Sequence, residues 1–328
     1  MLLRVTLDII QGHLLLIKGR NTVQLLCAPA SLNMRLFVSL SIKFFSIILS
    51  ALLLTGCLQK MAPQPGAEND SLTAPPGKII DLKTAQYMDS NQLIKRLSRA
   101  SRIIVGEKHD NPIHHQIERW LLVKLAEQRP QGSVLLEMLS PEQQTKVTKV
   151  KAWLQDAPVV RDSHIEMLLR WNTGWPWSLY QDVVMTALRA PYPLLAANLE
   201  QSEIAAIKNK TSFPEGRYSS APEVRQSIRN AIREQHGGQI DESRLETMVA
   251  IQQHRDRAMA VQLKHAPVPA LLIAGAFHAA KMIGVPLHYQ DISPHEEAPL
   301  VLLLAEEGVQ IDSSIADIVW FVPPVKDE

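Results

Sequence analysis

Ile103-Ile104-Val105-Gly106-Glu107-Lys108-His109-Asp110-Asn111-Pro112 is the stretch that decides the fold. Ile103, Ile104 and Val105 are consecutive and apolar, the pattern of a strand covered on both faces rather than one. A glycine ends the run and permits a tight turn, and the chain turns polar at once with Glu107 and His109. A helix is expected from His114 to Gln128.

The same alternation extends outward. Ser133 to Glu137, Pro193 to Ala197 and Pro269 to Ala274 read as further buried strands, with Leu300 to Leu304 and Ile318 to Phe321 adding two at an edge. Helices are expected at Asn91 to Ala100, at 141–154, at 162–171, at Ser178 to Arg189, at Gln201 to Asn209 and at Pro222 to Glu234. The longest runs from Asp241 to His265. Short apolar strands alternating with helices define an α/β fold, a mostly parallel sheet flanked by helices. The helical segment at about 202–262 interrupts the alternation and is expected to form a cap region over one end of the sheet.

Polar residues recur at the strand ends. Glu107 and His109 follow the first strand, Glu137 ends the second, Asn198 follows the third, and Gly275-Ala276-Phe277-His278 follows the fourth. An open α/β sheet binds ligands outside the carboxyl ends of its strands. Two histidines and two carboxylates there could hold a divalent metal, or act as acid and base on a substrate. On the long helix His254, Arg255 and Asp256 are adjacent, so they cannot all share one face.

The front of the chain reads differently. From Met34 the order is Met34-Arg35, Lys43, an apolar run from Phe44 to Leu54, then Leu54-Thr55-Gly56-Cys57, which is laid out as a secretory signal and resembles a bacterial lipobox. Residues 34–56 are therefore read as a lipoprotein signal peptide and Cys57 as the lipidated residue, with 1–33 an upstream extension of no structural role. Leu58 after the cysteine favours the outer membrane. Residues 57–78 hold Cys57 and a Pro- and Gly-rich flexible tether, and the folded domain is placed at 79–328. Subtracting the five basic residues and one acidic residue of 1–56 from 34 and 33 leaves 29 basic and 32 acidic, a net charge of −3. That excludes a nucleic-acid footprint. The only cysteines are Cys27 and Cys57, so no disulfide holds the domain.

The ordered series Ile103 to Pro112, Val134 to Met138, Leu194 to Asn198, Arg255 to Ala260 and Ile273 to His278 resembles the ChaN family of haem-binding lipoproteins, within a fold group that includes the Tiki and TraB proteins. The resemblance implies haem and iron acquisition, with a homodimer enclosing two haems, a Tyr on each iron and a supporting His from the other subunit. A phenolate is a hard anionic ligand suited to ferric iron. Candidates for the tyrosine are Tyr180, in the aromatic stretch Trp175 to Tyr180, and then Tyr218, beside Arg217, whose charge would favour a phenolate or meet a propionate. His254, His109 and His278 are candidates for the supporting histidine. An outer-membrane haem receptor is the implied partner. The rival expectation, from the same fold group, is a metal-dependent hydrolase or protease with Glu107, His109, Glu137 and His278 on the metal, which would activate water. An accessible tyrosine would favour the first reading and convergence of the four strand-end residues the second.

Overall fold

The computed structural model describes residues 72–156 and 159–325. The extension at 1–33, the signal peptide at 34–56, Cys57 and the tether up to residue 71 lie outside the described residues.

The strands are β1 (Lys78–Asp81), β2 (Gln86–Met88), β3 (Arg102–Glu107), β4 (Ser133–Leu136), β5 (Leu194–Ala196), β6 (Ala270–Gly275), β7 (Leu300–Glu306) and β8 (Ile318–Val322). The helices are α1 (Ser90–Leu97), α2 (Pro112–Gln128), α3 (Gln144–Leu154), α4 (Asp162–Leu169), α5 (Trp177–Arg189), α6 (Gln201–Asn209), α7 (Pro222–Gln235), α8 (Glu242–His265), α9 (Ala276–Ala279) and α10 (Val285–Ile292). One sheet joins the strands in the order β2-β1-β8-β7-β3-β6-β4-β5. It is parallel from β8 to β5, with β1 and β2 antiparallel at the β8 edge. The fold is α/β, as the alternation of strands and helices requires.

The consecutive apolar runs work as expected of strands buried twice. Ile103, Val105, Val134, Leu136, Leu271 and Ile273 face one core, packed on α1, α2, α3 and α5. Ile104, Leu135, Leu272, Val301 and Leu303 face the other, packed on α7, α8 and α10. Alternate residues point to opposite faces, so each run feeds both cores. The segment expected over one end of the sheet therefore lies along its second face: α7 and α8 form part of that helical layer, and α6 packs on α8 through Ile204, Ile207 and Ala250.

Sequence patterning missed β1, β2, α9 and α10. The two strands are short, carry mixed polarity and pair only at the edge, so neither gives a continuous apolar run. β1 also claims Lys78, the last residue of the expected tether. Among the described residues no helix is long and apolar enough to cross a membrane.

Candidate functional site

The chain leaves β3 toward β4 and leaves β6 toward β7, so the direction of winding reverses between the neighbours β3 and β6. Their carboxyl ends are in register, Glu107 opposite Gly275. A crevice outside such a switch point is the usual ligand position in open α/β sheets. Gly275 is required there. A Cβ at this position would come within 2.7 Å of His109 Nε2 and 3.6 Å of Glu137 Oε2, so the missing side chain lets two polar groups approach.

The first group is built on β3. Glu107 is 1 % exposed. Its Oε1 is hydrogen-bonded to His109 Nδ1 and accepts from the Tyr180 hydroxyl at 2.9 Å. Burial pushes the Glu107 carboxyl up, and the charge and hydrogen bond of His109 outweigh it and hold the group below 4.5. Burial opposes a charged His109, and Glu107 overcomes this and raises it. Trp175 packs edge-on to the His109 ring, with centroids 4.6 Å apart.

The second group joins the end of β4, α8 and α9, the short helix after β6. His278 Nε2 lies 3.2 Å from Glu137 Oε1, and its Nδ1 lies 2.7 Å from Asp256 Oδ1. Glu137 Oε2 accepts from the Gly275 backbone at 2.8 Å. Burial works against the His278 cation, but Glu137 and Asp256 together push it up to about 10. Burial raises Asp256 to about 6. Carboxylates thus flank both ring nitrogens, an arrangement that favours the His278 cation. The four strand-end residues thus converge, arranged as two imidazole–carboxylate groups meeting at Gly275.

A third group lies on α2. His115 Nδ1 is 3.0 Å from Glu118 Oε2, and its Nε2 is 3.1 Å from the His109 carbonyl oxygen. Burial opposes the His115 charge, but Glu118 and Glu107 bring it up to about 9. Burial raises Glu118 to about 7.

A cavity of about 550 Å³ opens beside the second group, lined by Glu137, Trp175, Asn198 and Arg255 among others. Arg255 also lines a groove of about 640 Å³ between α6, α7 and α8.

The residues expected to meet haem separate. Tyr180 is fully buried, bonded to Glu107, and burial with the nearby Glu107 and Glu118 charges raises its hydroxyl well above 10.0. Arg217 is exposed and Tyr218 half-buried, with the guanidinium 5.5 Å from the ring centroid. Half-buried His254 reaches the Ser212 carbonyl oxygen at 3.0 Å, on the same connection between α6 and α7. Of the five tyrosines, Tyr192 and Tyr289 are also buried, and Tyr87 is 71 % exposed on β2.

Sequence reasoning did not assign roles to Asp256, His115 or Glu118. The i, i+3 spacing of His115 and Glu118, one helical turn into α2, was the available signal.

A doubly wound α/β domain with imidazole–carboxylate groups buried at its switch point is the class that these features define. A family model described as "Haem-binding uptake, Tiki superfamily, ChaN" matches residues 93–288, and the chain belongs to that family. Among solved structures it is similar to one described as "Cofacial heme binding to ChaN of Campylobacter jejuni", with 30% identity, a TM-score of 0.68, and coverage of 74% of this chain and 96% of that one. Weaker likenesses are an erythromycin esterase mutant (12% identity, TM-score 0.41, covering 76% of this chain and 83% of that one) and a type III effector (13%, 0.40, 78% and 99%). Neither of these bears on function. No curated sequence is similar enough to count as a relative.

Proposed function

We propose that this chain is a lipid-anchored haem-binding protein of the bacterial cell envelope, serving haem uptake. The observation that carries the reading is its similarity, across nearly the whole domain and at 30% identity, to a protein that binds haem cofacially. Cys57 would be the acylated residue, holding the domain at the outer membrane on the periplasmic side. Haem would sit at a homodimer interface and pass to or from an outer-membrane receptor.

A tyrosinate ligand needs an accessible hydroxyl. Tyr180 is enclosed, whereas Tyr218 keeps part of its surface in solvent and has a guanidinium over its ring. Tyr218, with the Arg217 cation beside it as a partner for a haem propionate, is therefore proposed as the axial ligand. His254 would support the haem from the partner subunit. Bound haem supplies the iron chemistry. The chain supplies the anionic oxygen, the cation and a surface that excludes water.

The test is a titration of the purified full-length chain with ferric haem, recording absorption and mass in solution. A saturable Soret change with a tyrosinate-type high-spin spectrum and a shift to dimer is expected. Tyr218→Phe removes that spectrum, while Tyr180→Phe and Tyr87→Phe retain it. Absence of saturable binding overturns the reading.

A second reading rests on the convergence of Glu107, His109, Glu137 and His278 beside a cavity. It takes the site as a proton-transfer centre for hydrolysis. Ester and amide hydrolysis by wild type but not by His109→Gln would favour it over a role confined to haem.

A further inference from the structure

We infer that Glu107, His115 and Glu118 form a buried binding site for one divalent first-row transition-metal ion, sharing Glu107 with the strand-end residues but taking its other two ligands from α2. One carboxylate oxygen from each glutamate and one ring nitrogen of His115 lie within 4.8 Å of one another. Ligands about 2.0–2.2 Å from a single ion are at most about 4.4 Å apart, so a shift of a few tenths of an ångström closes the set. The His115 Nδ1–Glu118 Oε2 edge, at 3.0 Å, already has such a separation.

Two further observations point to a ligand. Glu107 Oε2 and Glu118 Oε1 are buried carboxylate oxygens with no hydrogen-bond partner, and both side chains have no exposed surface. Such atoms are costly to bury unless something compensates them. The surroundings also fit a ligand's outer partners. His115 Nε2 faces the His109 carbonyl oxygen, the outer hydrogen bond usual around a metal-binding histidine, and an ion would take the place of the Nδ1 proton that otherwise faces Glu118 Oε2. Tyr180 donates to Glu107 Oε1 and pins that carboxylate. A neutral imidazole with two carboxylates balances a dipositive ion, and the mixed nitrogen and oxygen set suits zinc, manganese or ferrous iron. His115 also lines a cavity of about 510 Å³ with Leu72, Pro75, Pro76 and Arg119.

The test strips the full-length protein with a chelator and titrates it with Co²⁺, reading visible d–d bands, stoichiometry by elemental analysis, and displacement by Zn²⁺. One Co²⁺ per chain is expected. Glu118→Gln and, as a second variant, His115→Gln, each shown folded by circular dichroism, abolish the bands. Tyr180→Phe, removing an outer partner, weakens binding by about tenfold. Anomalous scattering from Co²⁺-soaked crystals places the peak among Glu107, His115 and Glu118. A peak at His278, binding unaffected in both folded ligand variants, or no stoichiometric binding by wild type overturns the inference. None of these outcomes depends on haem.

Discussion

His278 holds two carboxylates, Glu137 and Asp256, neither of which has exposed surface. Removing the imidazolium leaves both charges buried, and breaking a buried pair costs about 3–5 kcal/mol. His278→Asn is therefore expected to lower unfolding stability by that amount in urea denaturation, and a change below about 1 kcal/mol would mean that the three groups are not charged together. Asp291, near the end of α10, shows the opposite balance. Its side chain is only 3 % exposed. Burial pushes the carboxyl up, but the Ser219 hydroxyl, the Tyr218 and Ser219 backbone N–H groups and Arg257 hold it below 3.8. A depressed carboxyl contributes stability above its unfolded pKa and loses it as pH falls through the folded value. Asp291→Asn should be less stable than wild type at neutral pH, with the gap closing as pH falls below 3.8. A gap constant down to the acid end would argue against this anchoring of Tyr218. Gly216 belongs to the same anchor. A Cβ there would lie 2.1 Å from Asp291 Oδ2.

At the scale of elements, α2 positions the His115–Glu118 pair, and its start depends on one buried residue. Asn111 caps the helix, its side-chain oxygen accepting from Ile113 N at 2.9 Å, with Pro112 opening the first turn. Its amide donates to Glu306 Oε1 at 3.0 Å, which also takes the Lys108 ammonium at 3.1 Å. The end of β7 thereby holds the turn between β3 and α2. Asn111→Ala should cost about 1–2 kcal/mol through loss of the cap. It should also raise hydrogen exchange in residues 108–115; unchanged exchange there would show that Glu306 and Lys108 suffice. Boundaries of the long elements were legible in the sequence because apolar runs and helical periodicity are local signals. β1 and β2 were not, since an edge pair takes its stability from β8 rather than from its own pattern.

For the molecule as a whole, the sheet is the common wall of two cores, and strand residues are its least replaceable part. Ile273 on β6 is fully buried. Ile273→Ala should destabilise by about 2–5 kcal/mol, measured by thermal or urea unfolding, and a smaller cost would indicate that the adjoining helices collapse into the space.

The sequence by itself determined the parallel α/β sheet, the order of its strands' polar endings and the family. These follow from neighbours along the chain: a buried strand needs an apolar run, and polar residues just after it must lie at the sheet's carboxyl edge. Only the tertiary structure decided how those polar residues pair. Tyr180 ranked first as an exposed ligand on its aromatic setting, yet it lies inside, bonded to a glutamate 73 positions away. Asp256 reached His278, and His115 with Glu118 came up beneath Glu107. Such groups are set by distance in a medium with little water to screen them, and nothing in local spacing encodes which charges will share that space.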